Sequence, residues 1–150
     1  MTVLSHPTDR VHRVWHPWRA IRDQPDITVR WAEMNSRLGA WDEGTRTMTL
    51  DPRQLQHERR VTATHEAIHA ERRHAGRCCG LVERQVQLET ARRLISLDSL
   101  ADALVWTQDE WEVAEELWVD VETARVRIDK LTDTEKDYIE RRIAAKGDAA

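Results

Sequence analysis

From Ile27 onward the apolar positions fall two apart. Ile27, Val29 and Trp31 alternate with polar residues, Leu38 to Trp41 form a short apolar piece, and Met48 and Leu50 alternate with threonine. Alternation at period two marks half-buried strands, so residues 27–50 predict three short antiparallel strands with turns at Asn35-Ser36 and Glu43-Gly44. At Asp51-Pro52 the pattern changes. Asp51 reads as an N-cap, Pro52 as a first-turn proline and Gln54 as the third member of a capping box, opening a long helix to about Ala75 that Gly76 ends. A second helix follows from about Leu81 to Leu97, with Val82, Val86, Ala91, Leu94 and Ile95 along one side. Short helices complete the chain, with caps expected at Asp98, at Thr107 with Glu110, at Asp120, and at Thr132 with Glu135. Before Ile27, Pro7, Pro17, Pro25 and the cluster Trp15-His16-Pro17-Trp18 read as an irregular arm with room for a short helix. The expected organisation is an arm over 1–26, an α+β core over 27–97 and a helical subdomain over 98–150.

Composition narrows the class. With 150 residues, 40% hydrophobic and 33% charged, the chain holds enough apolar material for one modest core. No apolar run approaches the roughly 18 residues that span a bilayer, and no signal-peptide pattern opens the sequence. A soluble protein of the cytoplasm is the expectation. The two cysteines, Cys78 and Cys79, are neighbours and cannot staple a fold to each other. Charge divides the chain: residues 1–96 hold 16 basic and 12 acidic side chains, whereas 97–140 hold 4 and 14. An acidic C-terminal third repels phosphate and argues against direct nucleic-acid binding.

The sharpest chemical feature is His65-Glu66-Ala67-Ile68-His69, an HExxH in the middle of the long helix. Residues four apart share a helix face, so both imidazoles can reach one zinc ion, and the intervening Glu66 can act as base on the attacking water. Catalytic zinc needs a third protein ligand and an open position. Glu83 and Glu89 on the second helix compete for that role. In zinc peptidases with a glutamate ligand, the residue four further on is an acid that hydrogen-bonds a ligating histidine. Here those places hold Gln87 and Arg93 respectively; Gln87 can accept from an imidazole N–H and Arg93 cannot, which favours Glu83.

The stretch from about Thr49 to Leu131 resembles the ImmA/IrrE family of small metallopeptidases found in phages and mobile elements beside immunity repressors. The residues that carry the resemblance are Met48-Thr49-Leu50-Asp51, Glu58 through His69, Glu83-Arg84-Gln85-Val86-Gln87 and Ala91 through Ile95. Val86 and Gln87 stand where the family carries Ala and Asp or Asn. The resemblance implies a zincin-like fold, Zn2+ held by His65, His69 and Glu83, Glu66 as catalytic base, Gln87 behind the ligands, and a repressor-type DNA-binding protein as substrate. It also implies a helical segment after the peptidase helices. Residues 113–127 look like a helix-turn-helix, with Trp118 at the usual turn glycine and Arg125, Arg127 and Lys130 on the second helix.

Other readings stay open at this level. His74 and Tyr138 are candidates for stabilising an oxyanion. His74 and Cys78 could instead extend the histidine pair into a closed structural zinc site. A non-catalytic zinc protein acting through a protein partner, and a DNA-binding regulator using the helix-turn-helix, are the alternatives to a peptidase.

Overall fold

The computed structural model describes residues 15–77 and 79–147; the N-terminal part of the expected arm and Cys78 lie outside them. Three strands, β1 (Thr28–Trp31), β2 (Gly39–Asp42) and β3 (Thr47–Leu50), form a sheet in the order β1-β3-β2. Strands β2 and β3 make an antiparallel hairpin with Trp41 opposite Met48, while β1 runs parallel to β3 with Val29 beside Met48. The expected all-antiparallel sheet is therefore a mixed one. Alternation reveals which residues turn inward but carries no information about which neighbour a strand joins or in which direction. The loop after β1 crosses the end of β3, pinned where the Met34 N–H donates to Asp51 Oδ2 at 2.9 Å.

Asp51 is spent on that crossing rather than on a helix cap. Its buried carboxylate also accepts from the Arg53 N–H at 2.9 Å and from the Arg53 guanidinium, which hold its pKa well below the usual carboxylate range. The long helix α2 (Gln56–Glu71) consequently starts later than expected, where Glu58 reaches back to accept the Leu55 N–H at 2.8 Å. It also ends sooner. Arg73, at φ 51°, adopts a left-handed conformation that breaks the helix two residues beyond Glu71. The short helix α1 (Pro17–Arg22) lies inside the expected arm and packs on α2. Its Ile21 joins Met48, Leu50, Ala63 and Ala67 in a core between the sheet and α2. Full burial of side chains such as Met48 and Leu50 is worth about 1.5–3 kcal/mol each.

Five further helices follow among the described residues: α3 (Gly80–Leu94), α4 (Leu97–Trp106), α5 (Glu110–Glu116), α6 (Val121–Asp129) and α7 (Asp133–Gly147). Together they make an α+β protein in which α3 packs on both α2 and α6. A second core of Leu94, Ile95, Leu100, Val113, Val119, Ala124 and Ile139 unites them. Helix α4 is capped by Ser96 and α5 by Asp109, in place of Asp98 and Thr107. Asp120 caps α6, and Thr132 and Glu135 form a reciprocal box at α7.

The α5-turn-α6 unit does not present a cationic face. Arg125 pairs with Glu110 at 2.6 Å. Arg127 is 3% exposed, donates from Nε to the Ile95 carbonyl at 3.2 Å and pairs with Glu135 at 2.8 Å. Trp118 occupies the turn at φ 54°, the left-handed conformation that glycine tolerates best. Arg60 of α2 caps this turn, donating to the Trp118 carbonyl at 3.0 Å with its guanidinium over the indole ring. No helix among the described residues is long and apolar enough to cross a membrane.

Candidate metal centre

The motif lies in the buried middle of α2. Helical spacing puts His65 and His69 on the face turned toward α3, and the chain between the two helices folds so that Glu83, in the first turn of α3, meets them. His65 Nε2 and His69 Nε2 stand 3.2 Å apart; Glu83 Oε2 is 3.1 Å from the first and Oε1 is 3.3 Å from the second. Tetrahedral zinc with ligands at about 2.0–2.2 Å sets its ligand atoms about 3.3–3.6 Å apart. The three side chains converge at nearly that spacing and can hold a metal ion. The donor set, two imidazole nitrogens and a carboxylate, suits zinc.

The surroundings favour ligands over charges. Burial drives the pKa of His65 below the ordinary value; burial and the neighbouring His65 do the same to His69, against the pull of Glu83. Both imidazoles are thus neutral at pH 7, with lone pairs to give a cation. His69 Nδ1 lies 2.9 Å from His74 Nδ1. With the shared proton assigned to His69 Nδ1, its Nε2 is left as an acceptor facing the cluster.

His74 reaches that position because α2 stops at Glu71. On a straight helix five residues would turn it elsewhere; instead the left-handed Arg73 folds the chain back and the His74 N–H donates to the His69 carbonyl at 3.0 Å. The side chain that meets His69 Nδ1 is thus the His74 imidazole, and Gln87 does not reach it. Gln87 sits exposed at the edge of the cavity, and its side chain makes no hydrogen bond to another described residue. Glu89, the rival ligand, is occupied by Arg72 and Arg93, one helical turn and a half past Glu83. Tyr138 is not brought to the site. It lies on α7, where its hydroxyl bonds Asp98 and accepts from Arg142 at 2.9 Å. Cys79 is exposed at the start of α3.

Glu66 lines the same cavity as the imidazoles and lies close against Gly39 of β2. Burial, with the Glu83 charge close by, pushes its pKa up to about 8, opposed by Arg37. A carboxyl poised near neutrality is suited to taking and returning a proton. Its space exists because residue 39 is glycine: a Cβ there would lie within contact distance of Thr62 Cγ2, 3.2 Å from Glu66 Cγ and 3.3 Å from Glu66 Oε1. The role of Gly39 was not read from the sequence, although a glycine inside a short apolar strand is itself a signal of close approach.

A cavity of about 540 Å³ opens over the cluster, bounded by β2, Arg37, His74 and Arg77. Strand β2 is an edge, pairing among the described strands only with β3. The Asp51 N–H donates to the Leu38 carbonyl at 2.9 Å, which fixes residues 38, 40 and 42 as those facing β3. The N–H and C=O groups of Gly39 and Trp41 therefore point outward along the cavity. No protein-family model, curated protein or solved structure matches the chain.

Proposed function

We propose that this chain is a zincin-like, zinc-dependent metallopeptidase. The observation that carries the reading is the convergence of His65 Nε2, His69 Nε2 and Glu83 at zinc-ligand spacing, beside a buried carboxyl and beneath an open cavity. When bound, zinc supplies Lewis-acid polarisation of a carbonyl and lowers the pKa of water to about 7. The remaining work falls to the chain. The outward groups of Gly39 and Trp41 hold an extended peptide as an added strand, which sets the scissile bond across the cluster. Glu66 accepts a proton from the attacking water and returns it to the leaving amine. His74 keeps His69 in the ligating tautomer. The resemblance to the ImmA/IrrE family suggests a repressor-type DNA-binding protein as substrate, in a phage or mobile-element setting; that step is analogy.

The test is metal content followed by hydrolysis. Protein prepared without added zinc is expected to carry about one zinc per chain, lost in His65→Ala and Glu83→Ala and kept in Glu89→Ala and Glu66→Gln. The Glu66→Gln protein should then fail to cleave peptides that the parent cleaves. A parent chain that takes up no zinc at neutral pH overturns the reading. Zinc bound with no hydrolysis, and function indifferent to Glu66→Gln, leaves a non-catalytic zinc protein.

A further inference from the structure

The cavity over the cluster adjoins another of about 490 Å³, and the two share Arg37, Trp41, Gly76 and Arg77. Arg37 stands just before β2, two residues ahead of Gly39, and Arg77 belongs to the connection between α2 and α3. Gly76 turns that connection in a left-handed conformation at φ 68°, and a Cβ there would meet nothing within 4 Å, so the space beside Arg77 is open.

Both guanidiniums are exposed, and neither makes a hydrogen bond or ion pair with another described residue. Their neighbours differ in this respect: Arg46, Arg53, Arg72 and Arg73 each have a carboxylate partner. Acids near the two are already engaged. Glu43 lines the adjoining cavity but pairs with Arg46 at 2.8 Å and with Arg73 at 3.2 Å, and Asp42 Oδ1 accepts the Thr45 N–H at 3.2 Å. In the cavity over the cluster the lining carboxylates are Glu66 and Glu83, whose work is proton transfer and metal binding. A guanidinium with no acid of its own can meet an incoming carboxylate with two parallel N–H bonds.

We propose that Arg37 and Arg77 bind a carboxylate of the peptide substrate close to the scissile bond. The proposal rests on the peptidase reading and names its substrate class: peptides with an aspartate or glutamate side chain, or a free C-terminus, at that place. A peptide laid along the outward groups of Gly39 and Trp41 shares its cavity with both arginines. Two cations in one cleft draw an acidic group in and turn a lysine or arginine away, which fixes the register of the peptide on β2.

The test separates binding from hydrolysis. Blocked hexa-alanine peptides carrying one glutamate at each position in turn, twins with glutamine in its place, and unsubstituted peptides with a free or an amidated C-terminus are titrated against zinc-loaded Glu66→Gln protein by fluorescence polarisation. Glutamate at one position, or the free C-terminus, should bind about 5- to 30-fold more tightly than its neutral twin, with a preference that weakens as salt rises. The first result puts the carboxylate on a side chain, the second at the chain end. In Arg37→Ala/Arg77→Ala the preference should fall below about 2-fold, whereas Arg141→Ala, which removes an exposed arginine of α7, should keep it. Circular dichroism of the double variant should be unchanged, since neither side chain holds another part of the fold. A carboxylate held by the metal alone would keep its preference in the double variant. That outcome, equal binding of all twins, no binding of any peptide, or an equal loss in Arg141→Ala overturns the proposal. A preference that behaves as expected, beside a parent chain that cleaves no peptide, refutes the peptidase reading and leaves the carboxylate site standing.

Discussion

Replacing Gly39 by alanine adds one methyl group where the structure has no room for it. The new Cβ would press on Thr62 Cγ2 and stand 3.2 Å from Glu66 Cγ. Neither neighbour yields freely. Thr62 is buried and its hydroxyl donates to Gln54 Oε1 at 2.5 Å, while Gln54 Nε2 in turn holds the Leu38 carbonyl at 2.8 Å and the Asp51 carbonyl at 2.9 Å. Rotating Thr62 away breaks a buried hydrogen bond worth about 1 kcal/mol. Keeping it in place overpacks the site at about 1–3 kcal/mol. We therefore expect Gly39→Ala to destabilise the protein by about 2–3 kcal/mol, a shift of about 1 M in the urea midpoint for an m-value of about 2–3 kcal/mol/M. The second substitution Thr62→Ser removes the methyl that is struck and keeps the hydroxyl. Alone it should cost about 1 kcal/mol, but in the Gly39→Ala background it should restore stability, a coupling of 1 kcal/mol or more in a double-mutant cycle. Since Glu66 moves but the ligands do not, zinc content should hold while peptide hydrolysis falls. A midpoint within about 0.3 M of the parent, or a cycle with no coupling, would refute the claim that Gly39 makes the space for Glu66.

Further outcomes are open to direct measurement. In competition with a chelator, His74→Ala should bind zinc about 10- to 100-fold more weakly, whereas Gln87→Ala should change affinity little; the reverse order would put the supporting partner back on α3. Arg127→Ala empties a buried position, frees the Ile95 carbonyl and leaves the partly exposed Glu135 without its ion pair, so urea denaturation should show a loss of about 2–4 kcal/mol; an unchanged midpoint would mean that these contacts contribute nothing. The hydrogen bond from Arg127 holds the Glu135 pKa below the ordinary carboxyl value of 4.5. A depressed acid adds stability above its unfolded pKa and loses it as pH falls through its folded one. Stability should thus fall below about pH 4.5 more steeply in the parent than in Glu135→Gln, and parallel curves would refute that assignment.

Much of the site was legible in one dimension. HExxH on a helix fixes the mutual placement of His65, Glu66 and His69, because residues joined by hydrogen bonds four apart have little freedom to part. The C-terminal boxes at Asp120 and at Thr132 with Glu135 are equally local, and the structure keeps them. Capping at Asp51 looked just as local and was not, since the loop from β1 claimed its carboxylate first.

Tertiary contact decided matters on which spacing is silent. Alternation showed three strands, yet only the path of the 32–38 loop placed β1 parallel to β3 and left β2 at the edge. Glu83 and Glu89 both lie on α3, and the choice between them depended on what each met: Glu89 pairs with Arg72 beyond the end of α2 and with Arg93 one turn along its own helix, while Glu83 meets the imidazoles. The early end of α2 brought His74 behind His69, a contact that a straight helix forbids. The physical reason is common to all of these. Backbone periodicity is set by neighbours a few residues away, whereas a ligand, a pocket wall or an ion pair is set by whichever distant side chain meets it first.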